Sequence, residues 1–127
     1  MRVLVIDDEK GIRDILRDYL NVLGHDADVA PDGVGGLALL TEGRYDLVLT
    51  DLVMPGMSGL AVAQTMRRQH PDLRIIVISG SGDHFDLQRL QQSGFGHLHK
   101  PVSFAEFKRA VCSEPGGIGS TGMTYRC

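Results

Sequence analysis

Cysteine is scarce. The chain of 127 residues has two, Cys112 and Cys127, which is too few for a disulfide framework, and neither stands in a C-x-x-C or histidine-rich metal spacing. Reduced thiols in a reducing compartment are the natural reading. Long apolar runs are also missing. Nothing approaches the roughly 20 residues that cross a bilayer, and the short run at residues 3–6, directly behind Met1-Arg2, is wrongly flanked for a signal peptide. A cytoplasmic protein that does not engage membranes is expected. Basic runs go no further than Arg67-Arg68, and 13 Lys plus Arg against 16 Asp plus Glu leave a net charge of -3. Nucleic-acid binding driven by charge is therefore not expected. No glycine-rich segment ends in the Lys-Ser/Thr of a P-loop, and no G-x-G-x-x-G follows the first apolar run. A G-x-S-x-G elbow and an H-E-x-x-H spacing are absent as well. Triphosphate, dinucleotide and hydrolase readings lose ground accordingly.

What is present is an ordinary globular mix, 43% hydrophobic and 23% charged. At this length it fits one domain that buries about two-thirds of the surface of its unfolded chain. Apolar β-branched and aliphatic runs at 3–6, 47–49 and 75–78 read as fully buried strands. Ala27 and Val29 alternate with Asp26 and Asp28, as in a half-exposed edge strand, and a short fifth strand is expected at 97–99. Between them, Ile12, Ile15, Leu16, Tyr19, Leu20 and Leu23 trace one helical stripe that stops at Gly24. Shorter helices are expected around Val34 to Leu40 and Leu60 to Met66, and from a cap at Asp83 through Leu87 and Leu90 to Gly94. Ser103 and Glu106 read as a capping box for a last helix carrying Phe104, Phe107 and Val111. Residues 113–127 are rich in Gly and Ser and lack periodicity, as in a flexible tail or a truncated linker; the domain is expected at 1–112.

Five strands alternating with five helices demand a parallel sheet covered on both faces. In such sheets ligands bind outside the carboxyl ends of the strands, where strand order reverses. Four strand ends carry polar residues of one chemical logic: Asp7 and Asp8, Asp51, Ser79, and Lys100. Clustered carboxylates resist joint ionisation unless a cation offsets them. Magnesium suits, since it takes oxygen ligands from one or two carboxylates, water and phosphate. The lysine and the hydroxyl opposite are donors for a phosphoryl group. Phosphoryl chemistry is what these residues support.

With Asp7-Asp8-Glu9, Asp51-Leu52-Val53-Met54-Pro55-Gly56-Met57-Ser58-Gly59, Ser79-Gly80 and Lys100-Pro101 in that order, the chain resembles the receiver domain of two-component response regulators. The resemblance implies a flavodoxin-like α/β fold of strand order 2-1-3-4-5 that is not an enzyme in the ordinary sense, since it catalyses only its own phosphorylation and dephosphorylation. Asp51 would be the phosphoacceptor, charged by a sensor histidine kinase or a phosphotransfer protein. Mg2+ would be held by Asp8, Asp51 and the main-chain carbonyl of Val53, with Asp7 reaching it through water. Lys100 would pair first with the carboxylate and then with the phosphoryl group, and the Lys100-Pro101 bond would be cis. Ser79 would move toward the phosphoryl oxygens, and His97, at the family's switch position, would remodel the surface of the fourth helix, fifth strand and fifth helix for a downstream protein or output domain. A monomer or weak dimer is expected.

Some residues depart from the family's habit. His97 puts an imidazole where an aromatic ring is usual, and it reads either as this switch or as an ordinary partly buried histidine. Gly80 replaces a small methyl residue and could open the site, while Phe95 replaces alanine and would fill a gap beside the fourth helix. Val53 and Ser81 stand where the family flanks the attacking water, and neither orients it well, which implies a long-lived phosphorylated form. His25, His70, His84 and His99 read as surface residues, and Met54 and Met57 as turn and core filling. Two other functions share parts of this pattern. A magnesium-dependent aspartyl-phosphate phosphatase or phosphotransferase needs a covering cap that this length does not provide. A flavodoxin-like flavin-binding module needs a hydroxyl-rich loop where this chain has an acidic one.

Overall fold

The computed structural model describes residues 1–80, 82–83 and 87–112, Leu87 by its backbone alone. The expected tail at 113–127 and the expectations at Ser81 and His84 lie outside these residues. Strands and helices alternate: β1 (Arg2–Ile6), α1 (Lys10–Val22), β2 (Asp26–Ala30), α2 (Gly33–Glu42), β3 (Leu47–Asp51), α3 (Gly59–Gln69), β4 (Arg74–Ser79), α4 (Leu87–Gln92), β5 (Gly96–His99) and α5 (Phe104–Cys112). All strand pairs are parallel, in the order β2-β1-β3-β4-β5. The half-exposed β2 lies at the edge, as its alternating pattern predicts.

Strand alternation divides the core in two. Leu4, Ile6, Val48 and Val77 pack with Val62, Met66 and Leu90 beneath α3 and α4. Val3, Val5, Leu47, Leu49, Ile76 and Ile78 face the opposite way, onto Leu16, Leu20, Phe107 and Val111 of α1 and α5. Each central strand is thus apolar on both sides, which is why its sequence is a continuous run. Phe95, 6% exposed, shares the first cluster with Leu90 and fills the side of α4 as expected. Met54 is buried as expected, whereas Met57, expected as turn and core filling, is exposed because it stands in the loop that follows Pro55-Gly56.

Helix ends follow local chemistry. Gly24, at φ +83, takes the left-handed conformation that closes α1. Asp32 accepts from Gly35 N at 2.7 Å and Ser58 from Ala61 N at 3.1 Å, capping α2 and α3. The Asp83 carboxylate accepts from Gly80 N at 2.6 Å, and residues 84–86, whose amides it was expected to cap, lie outside the described residues. One expected cap differs. Ser103 accepts from Glu106 N, but the Glu106 carboxylate takes the Ser103 hydroxyl rather than a backbone amide. Arg74, at the start of β4, donates to the carbonyls of Ala110 and Val111 at 3.1 and 3.2 Å, fixing the end of α5 to the amino edge of the sheet. Cys112 is disulfide-bonded, which corrects the expectation of reduced thiols; the other half of that bond lies outside the described residues. No described helix is long and apolar enough to cross a membrane.

His25 corrects another expectation. It is 5% exposed rather than on the surface, and its Nδ1 lies 2.9 Å from the Met1 ammonium. Residue 25 follows the first helix and leads into the edge strand, where Asp26 N donates to Met1 O at 3.0 Å; that pairing brings the amino terminus onto the ring. His70 and His99 are exposed.

Candidate functional site

The sheet order reverses between β1 and β3, so the loops that follow these two strands part to opposite sides and leave a crevice at their carboxyl ends. Asp7 follows β1 directly, Asp51 ends β3, Ser79 ends β4, and Lys100 follows β5. The ladder continues past the strands here. Asp7 N donates to Ala30 O at 3.1 Å, Leu52 N to Ile78 O at 2.8 Å and Lys100 N to Ser79 O at 2.8 Å, which holds the site residues to the rigid sheet. Arg13 of α1 donates to the Asp7 carbonyl at 2.8 Å, and Glu9 N donates to Asp7 Oδ1 at 2.9 Å. Beyond Asp51 the chain turns through Pro55-Gly56 and enters α3 at Gly59. A side chain at Gly59 would overlap the Asp51 carbonyl, so only glycine lets the start of this helix close onto the strand end.

Asp7 and Asp51 are buried at 1% and 4% exposure, and Asp8 is exposed. The three offer carboxylate oxygens that all lie within 4.8 Å of one another. Lys100 Nζ lies 3.2 Å from Asp7 Oδ2 and 3.3 Å from Asp51 Oδ2. The contact with Asp51 is a hydrogen bond, whereas the Asp7 oxygen takes no aligned donor and meets the ammonium by charge alone. Glu9 is a more distant partner at 3.9 Å.

One ammonium cannot neutralise this cluster. Burial, and then the negative charge of Asp7, push Asp51 up to about 6 in spite of Lys100. Burial opposes the charge on Lys100, but Asp7 and Asp51 outweigh it and hold the lysine above its ordinary value. A buried carboxylate oxygen without an aligned donor, beside two other carboxylates, is the donor set that a hard divalent cation takes, and magnesium fits it. Val53, two residues past Asp51, has a side chain 55% exposed.

Ser79, 0% exposed, places Oγ 2.7 Å from His97 Nε2. Sequence spacing put both residues near the site but did not reveal that they bond to each other. The signal available was the parallel register: with Val77 opposite His97 and Ser79 opposite His99, both side chains fall on one face. The Lys100-Pro101 bond is cis, as the resemblance implies.

A doubly wound parallel sheet with an acidic trio and a lysine at its switch point defines the class of small phosphoacceptor domains. The model of the response regulator receiver domain matches residues 3–112, and this chain belongs to that family. It is 32% identical over 111 residues to sporulation initiation phosphotransferase F of Bacillus subtilis, covering 87% of this chain and 90% of that protein. It is 38% identical over 107 residues to the response regulator MprA of a Mycobacterium species, covering 84% of this chain but 46% of that protein, so it spans about half of such a regulator. Among solved structures, TrrA of Thermotoga maritima, a response regulator described in complex with Mg2+ and BeF, superposes with a TM-score of 0.78 at 35% identity, covering 87% of this chain and 95% of that one. A receiver domain protein from Clostridium thermocellum superposes at 0.81 with 29% identity, covering 87% and 90%. The chain is a receiver domain of two-component response regulators, and the phosphatase and flavin-binding alternatives are not favoured.

Proposed function

We propose that Asp51 accepts a phosphoryl group from a phosphohistidine, on a sensor histidine kinase or a phosphotransfer protein, and that the resulting acyl phosphate alters the face formed by α4, β5 and α5 for a downstream protein or output domain. The observation that carries this reading is the position of Asp51. It is the buried carboxylate at the end of a central strand that meets both the acidic pair and Lys100. In the transfer an Asp51 carboxylate oxygen attacks phosphorus and the bond to the histidine nitrogen breaks. Charge spreads over the equatorial phosphoryl oxygens, where fixed donors act most strongly. Lys100 already sits against Asp51 and supplies one such donor; Ser79 supplies another. Asp7, Asp8 and Asp51, with the main-chain carbonyl of Val53, would hold Mg2+, which supplies positive charge for the incoming phosphoryl group. The rise of Asp51 to about 6 leaves it mostly ionised, and so nucleophilic, at neutral pH.

Intact-mass measurement after incubation with acetyl phosphate and Mg2+ tests the assignment. The parent protein should gain roughly 80 Da, the mass that accompanies one added phosphoryl group and its charge. Asp51→Asn should gain nothing. A gain that persists in Asp51→Asn moves the acceptor elsewhere.

A further inference from the structure

Ser79 is a buried hydroxyl with a single proton to give. Its Oγ meets one partner among the hydrogen bonds of the described residues, Nε2 of His97 at 2.7 Å. If that nitrogen carried the proton, the serine proton would lack an acceptor in a place that water does not reach, which is costly. In the unphosphorylated protein the serine therefore donates and Nε2 accepts, so the neutral ring carries its proton on Nδ1. The hydroxyl proton then points at His97, away from the strand end where Asp51 lies.

A phosphoryl group reverses the demand. Its oxygens only accept, and Ser79 stands one residue past Ile78, the β4 partner of Asp51 in the sheet register. When the serine proton turns to a phosphoryl oxygen, two bare lone-pair atoms, Oγ and Nε2, are left facing each other. We propose that His97 is a positioning residue for the phosphoryl group, and that the hydrogen bond it shares with Ser79 reverses direction when Asp51 is phosphorylated. Nε2 takes one proton from solvent, which the partly exposed imidazole can reach, and donates it to Oγ. Oγ then donates its own proton to the phosphoryl oxygen. Coupling runs through a hydrogen bond rather than through space vacated by the serine. Since His97 lies in β5, beneath α4, the reversal reports the state of Asp51 to that face of the domain. This deepens the proposed function and rests on Asp51 as the acceptor.

The test uses the whole 15N-labelled chain with acetyl phosphate in excess and Mg2+, and reads ring-nitrogen chemical shifts and intact mass on the same sample. The His97 signals are identified by their loss in His97→Gln. Nε2 is expected to be pyridine-like before phosphorylation and pyrrole-like after it. His97→Phe keeps a ring but offers no nitrogen, and at limiting acetyl phosphate its ratio of phosphorylated to free protein should fall about fivefold, the net worth of one hydrogen bond. His97→Gln, whose amide can donate to Oγ, should restore most of that loss. An Nε2 that is pyrrole-like from the start, or that stays pyridine-like in a sample carrying the mass gain, overturns the inference alone. A His97→Phe protein phosphorylated as fully as the parent overturns it too. If the parent gains no mass, the assignment of Asp51 fails and the inference falls with it.

Discussion

A neutral imidazole is the form that His25 keeps against the Met1 ammonium 2.9 Å away. Burial first, and then the positive amine, hold its proton affinity below the usual histidine value of 6.5. Its contribution to stability is therefore present above pH 6.5 and is lost as pH falls, because the unfolded chain takes up a proton that the folded ring refuses until lower pH. Asp51 acts with the opposite sign. Its folded value of about 6 exceeds the ordinary 3.8, so acidification below 6 favours the folded state. That contribution is common to parent and His25→Gln and cancels in their difference. Thermal melts from pH 8 to 5 should show the parent losing more stability than His25→Gln; equal losses would rule out this account. At Val53, exposed hydrocarbon offers a water molecule no hydrogen bond beside Asp51. Val53→Asn or Val53→Glu should orient that water and speed decay of the phosphorylated form about tenfold, or about 1.4 kcal/mol in barrier. The loss of the mass gain with time after donor removal decides it, and an unchanged rate excludes Val53 from control. Residues at the carboxyl ends of the strands were legible in the sequence, because a parallel sheet brings those ends to one side, where Lys100 meets Asp7 and Asp51. His25 was not, because its partner is the chain terminus 24 residues away.

At the scale of elements, α3 and the α4–β5 turn are joined by one side chain. The Arg67 guanidinium lies 4.9 Å from the Phe95 ring centroid and donates to the carbonyls of Ser93 at 3.1 Å and Gly94 at 3.4 Å. These are the carbonyls just beyond the end of α4, where a cation is favoured. Arg67→Met keeps much of the hydrocarbon over Phe95 and removes the charge and donors, and should cost about 1–2 kcal/mol. Hydrogen exchange should quicken at residues 93–96 while β1 and β3 remain protected; uniform protection would show that the clamp carries nothing. The three central strands were readable from apolar runs alone, because burial on both faces leaves no polar alternation to confuse them. Helix starts were less so. Ser103 and Glu106 have the chemistry of a capping box, but the Glu106 carboxylate takes the Ser103 hydroxyl, and a motif of residue types cannot show which donor a carboxylate reaches.

Among the described residues three carboxylates crowd together at Asp7, Asp8 and Asp51, and a cation bound only by the folded state should stabilise the whole domain. At 100 times the dissociation constant, Mg2+ should add about 2.7 kcal/mol, or roughly 10 °C in melting temperature for a domain of this size. Asp8→Ala should lose most of that response, and an unchanged parent midpoint would exclude the metal. Strand order was legible only through the resemblance, since periodicity gives the elements but not which strand lies beside which. The disulfide at Cys112 was not legible at all from cysteine count. That same end of the chain has a mechanical consequence. Arg74 ties the last turn of α5 to the starting edge of β4, and Asp51 stands by the other edge, about 13 Å away along four steps of strand. Whatever the chain carries past residue 112 sets out from the pole opposite the acyl phosphate. A short passenger at that pole would sense the modification as a change of relief on the globe between them, much as a lever's far arm reports a load it never meets.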